Sequence, residues 1–279
     1  MERWATGIFT SVAGGLGAGV DAVKRLGVPT VQLHAPTAEH RTAARTEEIR
    51  ELFASAGITI TVVFVGFADD DYSTIPRVQQ TVGLVPPATR AARLRETLEI
   101  ADFAAALGVD AVGMHLGFVP PDRRSAAYRD VVQVARAVCD HCGGNHQYVH
   151  LETGQEKAEE LRAFILDVGR ANLRVNFDPA NMILYRAGEP LAALDHVGEF
   201  VRSVHCKDAT WERRPGQPWY EDAPLGTGDV GIEAFLRRLD RLGYYGPLTI
   251  EREYSPDQAG DIAQALQLLV DLRARILGS

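Results

Sequence analysis

One periodic feature constrains the fold more than any other. Eight short runs rich in Val, Ile and Thr recur along the chain, separated by amphipathic stretches. The runs are Gly7–Val12, Thr30–His34, Ile58–Val65, Ala111–Leu116, Gln147–Glu152, Leu173–Asp178, Val201–Lys207 and Pro247–Glu253. Runs this apolar suit parallel strands covered on both faces. Between them the spacing predicts helices over Glu47–Ala56, Ala88–Leu107, Ser125–Cys139, Glu156–Val168, Leu191–His196 and Ile232–Leu242, with a last one over Pro256–Leu277. Thr46 is the expected N-cap of the first. Gly27, Gly57, Gly108 and Gly243 follow helix ends, where a left-handed cap is common.

Eight strand–helix alternations within 279 residues are the arithmetic of a (β/α)8 barrel, an α/β fold forming one domain over 1–279. A doubly wound sheet would carry a phosphate-binding glycine fingerprint after its first strand. Gly14-Gly15-Leu16-Gly17-Ala18-Gly19 has glycine spacing of that kind. However, Gln32 and His34 stand where the acidic ribose partner belongs, so 14–19 reads as a flexible loop. Two long connections, 67–87 and 211–231, are candidates for lids and pocket walls.

Charge narrows the partners. Lys and Arg number 29 against 37 Asp and Glu, a net charge of −8. That sign opposes nucleic-acid and anionic-membrane surfaces and leaves a small molecule as the expected partner. There is no 18-residue apolar run and no basic leader before an apolar stretch. The three cysteines, Cys139, Cys142 and Cys206, are too few for a disulfide framework and suit a cytoplasmic protein. A homo-oligomer is compatible with all of this.

In a barrel of this kind, chemistry sits at the C-terminal strand ends. His34, His115, His150, Glu152, Asp178, His205, Lys207, Glu251 and Glu253 fall there. Residues two apart share a strand face, so His150 with Glu152, His205 with Lys207 and Glu251 with Glu253 point alike. Several carboxylates converging on one mouth repel each other unless a cation joins them. Glu152, Asp178, His205 and Glu251 form an oxygen-rich set with one imidazole, suited to one divalent metal ion: Mn, Mg, Co or Zn.

The stretches VHLETG (149–154), VNFDPANMILY (175–185), VRSVHCKDA (201–209) and LGTGDVGIEAFLRRLDRLGYYGPLTIERE (225–253) resemble the xylose isomerase-like TIM-barrel superfamily. More narrowly, they are similar to its sugar phosphate isomerase/epimerase proteins, relatives of ketose 3-epimerases and inosose-type isomerases and dehydratases. The resemblance implies a TIM barrel with a single metal held by Glu152, Asp178, His205 and Glu251. In the epimerase branch the two glutamates, here Glu152 and Glu251, also serve as acid and base. Ketose 3-epimerases usually carry histidine three residues after the strand-six aspartate, and here Asn181 stands there.

The implied activity is a metal-dependent isomerase or epimerase acting on a sugar, keto-sugar or polyol. Proton transfer would pass through a metal-stabilised enediolate. Loss of a β-hydroxyl or glycoside from the same intermediate would make a lyase, either an inosose-type dehydratase or an enzyme eliminating from 3-keto-glycosides. A non-catalytic sugar-binding barrel is the alternative from another class.

His34, His115 and Lys207 are the expected substrate hydrogen-bonding groups. Trp4, Phe67, Trp211 and Trp219 are candidate walls for a sugar face, and Arg213 and Arg214 candidate phosphate contacts. Cys139-Asp140-His141-Cys142 has zinc-like spacing but no second pair, which weighs against zinc.

Overall fold

The computed structural model describes residues 2–13, 16–214 and 216–278. Its strands are β1 (Thr6–Ser11), β2 (Ala18–Gly19), β3 (Thr30–His34), β4 (Thr59–Val65) and β5 (Ala111–Met114), then β6 (Tyr148–Glu152), β7 (Leu173–Phe177), β8 (Val201–Cys206) and β9 (Leu248–Ile250). The ladder runs in parallel from β1 through β3 to β9, and β9 pairs back onto β1. Eight strands therefore close a TIM barrel. β2 is extra, pairing Ala18 and Gly19 with Thr10 and Ser11 at the rim. This corrects the loop reading of 14–19 in part; Gly14 and Gly15 lie outside the described residues.

The helices are α1 (Val20–Leu26), α2 (Ala43–Ala54), α3 (Ile75–Thr81), α4 (Arg90–Ala106) and α5 (Ala126–Gly144), then α6 (Ala158–Val168), α7 (Pro179–Leu184), α8 (Pro190–Val197), α9 (Ile232–Arg241) and α10 (Gln258–Leu277). Thr42, not Thr46, caps α2: its hydroxyl accepts from the Arg45 amide, whereas the Thr46 hydroxyl donates back to the Thr42 carbonyl inside the helix. Gly27, Gly57, Gly108 and Gly243 all adopt positive φ between 66° and 79°, the left-handed stops the sequence predicts.

The main core lies between strands and helices. Val31, Leu33, Val63, Leu151, Val175 and Val204 point outward onto Phe53, Ile100, Phe164 and Phe235. The barrel interior is divided. Phe9, Val62, Phe64 and Ala111 form a small apolar cluster of their own. Gly113 makes room for it, since a Cβ there would sit 2.5 Å from the Phe64 ring. The rest of the interior is polar: His150, Asn176 and Ser203 on β6–β8, and Gln32 on β3 between the apolar strands, all buried. The ladder shifts register at Val31/Gln32 and at Val175/Asn176. Such irregularities re-aim side chains, and Gln32 and Asn176, each at one of these shifts, meet across the interior at 3.4 Å.

Candidate metal centre and its cavity

Four consecutive barrel strands deliver the candidate ligands. Glu152 ends β6, Asp178 follows β7, His205 lies in β8 and Glu251 follows β9. All four are buried, and one ligand atom from each lies within 4.8 Å of the others. His205 Nδ1 is 2.8 Å from Glu152 Oε1, 3.1 Å from Glu251 Oε2 and 3.7 Å from Asp178 Oδ2. Asp178 has a split role. Its Oδ1 accepts from the Asn181 amide and caps α7. Its Oδ2 is buried with no hydrogen-bond partner. An orphaned carboxylate oxygen beside two further carboxylates and an imidazole is what a divalent cation would satisfy. The donor set fits the expected ion.

A hydrogen-bonded chain supports the imidazole from below. Ser203 Oγ donates to Asn176 Oδ1 at 2.6 Å, so His150 Nδ1 donates to Ser203 Oγ at 2.8 Å. Gln32 Nε2 donates to the same Asn176 oxygen at 3.4 Å. That turns Gln32 Oε1 toward His205 Nε2, 2.7 Å away. Gln32 thus accepts from the Nε2–H of His205 and leaves Nδ1 facing the carboxylates. Metal-binding histidines are commonly fixed in this way.

The electrostatics follow from burial and pairing. Burial disfavours charge on His205, but Glu251 and Glu152 outweigh it and hold its pKa well above the ordinary value. Lys207 is likewise opposed by burial and raised by Glu251, Glu253 and Asp178. Its Nζ lies 2.9 Å from both Glu251 Oε2 and Glu253 Oε2. Burial works against the Glu251 carboxylate, yet His205 and Lys207 pull its pKa well below normal. Burial pushes Asp178 up to about 6.

Above the ligands opens a cavity of about 1090 Å³, lined by His34, His115, Glu152, Asn181, Lys207 and Glu251 among others. The three expected substrate contacts thus all face one space with Glu152 and Glu251 of the metal set. His115 Nε2 is 3.1 Å from Glu152 Oε2. His34 packs on Gly66, where a Cβ would lie 2.4 Å from its Nε2. The roof comes from the long connections. Trp219 Nε1 donates to the Tyr72 carbonyl at 2.9 Å, tying the loop after β4 to the loop after β8. Tyr185 packs against Trp219 with ring centroids 4.9 Å apart.

Other expectations part company with the structure. Phe67 and Trp219 line the cavity, but Trp4 is fully buried with its Nε1 on the Tyr244 carbonyl, and Trp211 is not among the lining residues. Arg213 and Arg214 also lie outside the lining; they bind the Leu184 carbonyl and Glu221. Cys139 and Cys142 face the core from α5, and burial raises both thiols to about 12. His141 turns away to Asp102. Among the described residues the one metal-like cluster is the barrel-mouth set. Sequence reasoning missed Gln32, Asn176, Ser203, Tyr72 and Tyr185 as parts of the site. Gln32 carried a signal, because it lies two residues before His34 and so on the same inward face.

Comparison with known proteins fixes the family. The profile of the xylose isomerase-like TIM barrel family matches residues 20–272. The chain belongs to that family. A solved xylose isomerase domain protein from Planctomyces limnophilus is 48% identical, with a TM-score of 0.95 over 99% of this chain and 100% of that one. Two curated relatives match over shorter stretches. The rhizopine catabolism protein MocC of Rhizobium meliloti is 28% identical over 42% of this chain and 38% of its own length. A ketose 3-epimerase of Arthrobacter globiformis is 27% identical over 44% of this chain and 37% of its own length. The matches thus span less than two fifths of either curated relative. Among the described residues no helix is long and apolar enough to cross a membrane.

Proposed function

We propose that this chain isomerises or epimerises a sugar, keto-sugar or polyol by metal-assisted proton transfer, with Glu152, Asp178, His205 and Glu251 holding one divalent ion. The observation that carries the reading is the partnerless Asp178 Oδ2 facing His205 and Lys207 among three buried carboxylates at the cavity floor. When bound, the ion would draw electron density from substrate carbonyl and hydroxyl oxygens and so acidify the adjacent C–H.

The protein's own residues do the rest. Glu251, whose carboxylate borders the cavity, serves as one acid/base group at a carboxylate oxygen. Glu152 is oriented by Asn181 Nδ2 at 3.3 Å and by His115, and serves as the second acid/base group. His34, His115 and Lys207 bind and orient substrate hydroxyls. Tyr72, Trp219 and Tyr185 wall the cavity over the reacting atoms. The similarity to a ketose 3-epimerase supports the reaction class. Asn181 in place of the histidine usual in ketose 3-epimerases keeps a second reading in play, a lyase that expels a β-hydroxyl from the same intermediate. The three buried free thiols support a cytoplasmic setting.

The test is a screen of ketoses, aldoses and inososes in D₂O with Mn²⁺, Mg²⁺, Co²⁺ or Zn²⁺, read by NMR. Metal-dependent deuterium incorporation at a carbon next to a carbonyl is expected. Incorporation that persists undiminished in EDTA would contradict the proposal.

A further inference from the structure

The cavity does not end at the metal centre. Its floor is Glu152, Glu251 and Lys207, but its lining also includes Pro36, Thr37 and Arg41 beyond β3, Ala68 and Asp69 beyond β4, and Glu96 on α4. The space therefore extends past the strand ends to the side chain of Glu96 on α4. Its volume of about 1090 Å³ tops the ~300–1,000 Å³ of pockets that enclose drug-sized ligands. A lone hexose on the metal would leave most of it as water.

The arm's chemistry says what it takes. Leu16, Ala35, Pro36, Phe67 and Ala68 supply apolar surface there. Its cation, Arg41, is already engaged: Nη1 donates to the Pro36 carbonyl at 2.7 Å and Nη2 to Glu96 at 3.1 Å. Lys207, the other Lys or Arg of the lining, is held by Glu251 and Glu253. Asp69 and Asp70 are both paired with Arg93, and Glu96 with Arg41, so the charges around the arm are committed to one another. A phosphate or carboxylate entering it would lose its hydration and find no uncommitted cation in the lining.

We propose that this arm is a second subsite for a neutral ring joined to the reacting sugar, so that the substrate is a glycoside or disaccharide rather than a free monosaccharide or a sugar phosphate. The proposal rests on the sugar-binding reading of the metal centre. The outer ring packs on Pro36, Phe67 and Ala68 while the inner ring lies over Glu152 and Glu251.

Binding, not turnover, tests it. Protein loaded with Mn²⁺ is titrated calorimetrically with D-fructose, with D-fructose 6-phosphate, and with turanose, lactulose, leucrose and isomaltulose. In these four, a second hexose is joined to fructose at different hydroxyls. At least one disaccharide is expected to bind tenfold or more tighter than fructose, with fructose 6-phosphate weaker than fructose. Ala68→Trp and Thr37→Trp, both at exposed positions, add bulk to the arm and should each shrink the disaccharide-to-fructose ratio at least fivefold. Two variants guard against one failing to fold. Fructose binding with no disaccharide preference, tighter fructose 6-phosphate, or a preference untouched by both variants overturns the subsite alone. Failure of every sugar to bind overturns the sugar reading and the subsite with it.

Discussion

Gln32 Oε1 lies 2.7 Å from His205 Nε2, although the two residues are 173 positions apart. Barrel closure makes this contact, and it sets which imidazole nitrogen faces the carboxylates. Gln32→Leu removes the acceptor and strands a buried N–H. Metal affinity should then fall by about 10–100-fold, the usual scale for losing such an outer partner. Gln32→Glu keeps an acceptor and should recover part of that loss. Calorimetric titration of the two variants with Mn²⁺ checks this, and equal affinity in both would remove the orienting role.

The two glutamates should be separable from the metal. Glu152→Gln and Glu251→Gln each keep an oxygen donor but lose the basic site. Metal binding should survive in part, while turnover falls by about 10²-fold or more. In a two-base epimerase, one variant should still wash deuterium into one epimer without completing inversion. In a one-base isomerase or a dehydratase, only one of the pair should lose exchange. Normal turnover in both would remove the proposed bases.

A pH-dependent stability is expected away from the centre. Burial raises Glu156 to about 7 from an ordinary 4.5, against a hydrogen bond from the Val119 amide that favours the anion. The unfolded chain thus loses this proton at lower pH than the folded one does. Stability attributable to the neutral carboxyl is complete below about 4.5 and is lost as pH rises through about 7. Glu156→Gln still accepts from Val119 and escapes the cost. It should be more stable than wild type at pH 8, by about 1–2 kcal/mol, and close to wild type at pH 4.5. Chemical denaturation at both pH values checks it; a gain independent of pH would point to packing instead.

The cysteines should be silent. Burial raises Cys139, Cys142 and Cys206 each to about 12. At pH 8 the folded protein should therefore react with no more than a trace of a thiol reagent such as DTNB, then release three equivalents when denatured. Fast reaction of the native protein would show that the α5 pair is not in the core.

What the sequence made legible was what repeats. β-Branched runs marked all eight barrel strands, and glycine stops marked the helix ends. The four candidate ligands were legible because each lies at or near the C-terminal end of its own strand, so one layer of the barrel had to hold them. Features that depend on local competition were harder. Thr42 and Thr46 both suit an N-cap, and the choice turned on where α2 begins. The polar set of His150, Ser203, Asn176 and Gln32 was hidden because strands far apart in sequence bring it together, at two register shifts that no pattern signals. The roof was invisible for a similar reason: Tyr72 and Trp219 meet only because two loops cross above the mouth.

Glu152, Asp178, His205 and Glu251 are proposed to form one metal site. The direct measurement is metal-free protein titrated calorimetrically with Mn²⁺, alongside Asp178→Ala and His205→Ala. One ion per chain is expected in the wild type, with affinity falling by about a hundredfold or more in each variant. Wild-type stoichiometry and affinity in both variants, or no saturable binding by the wild type, would contradict it.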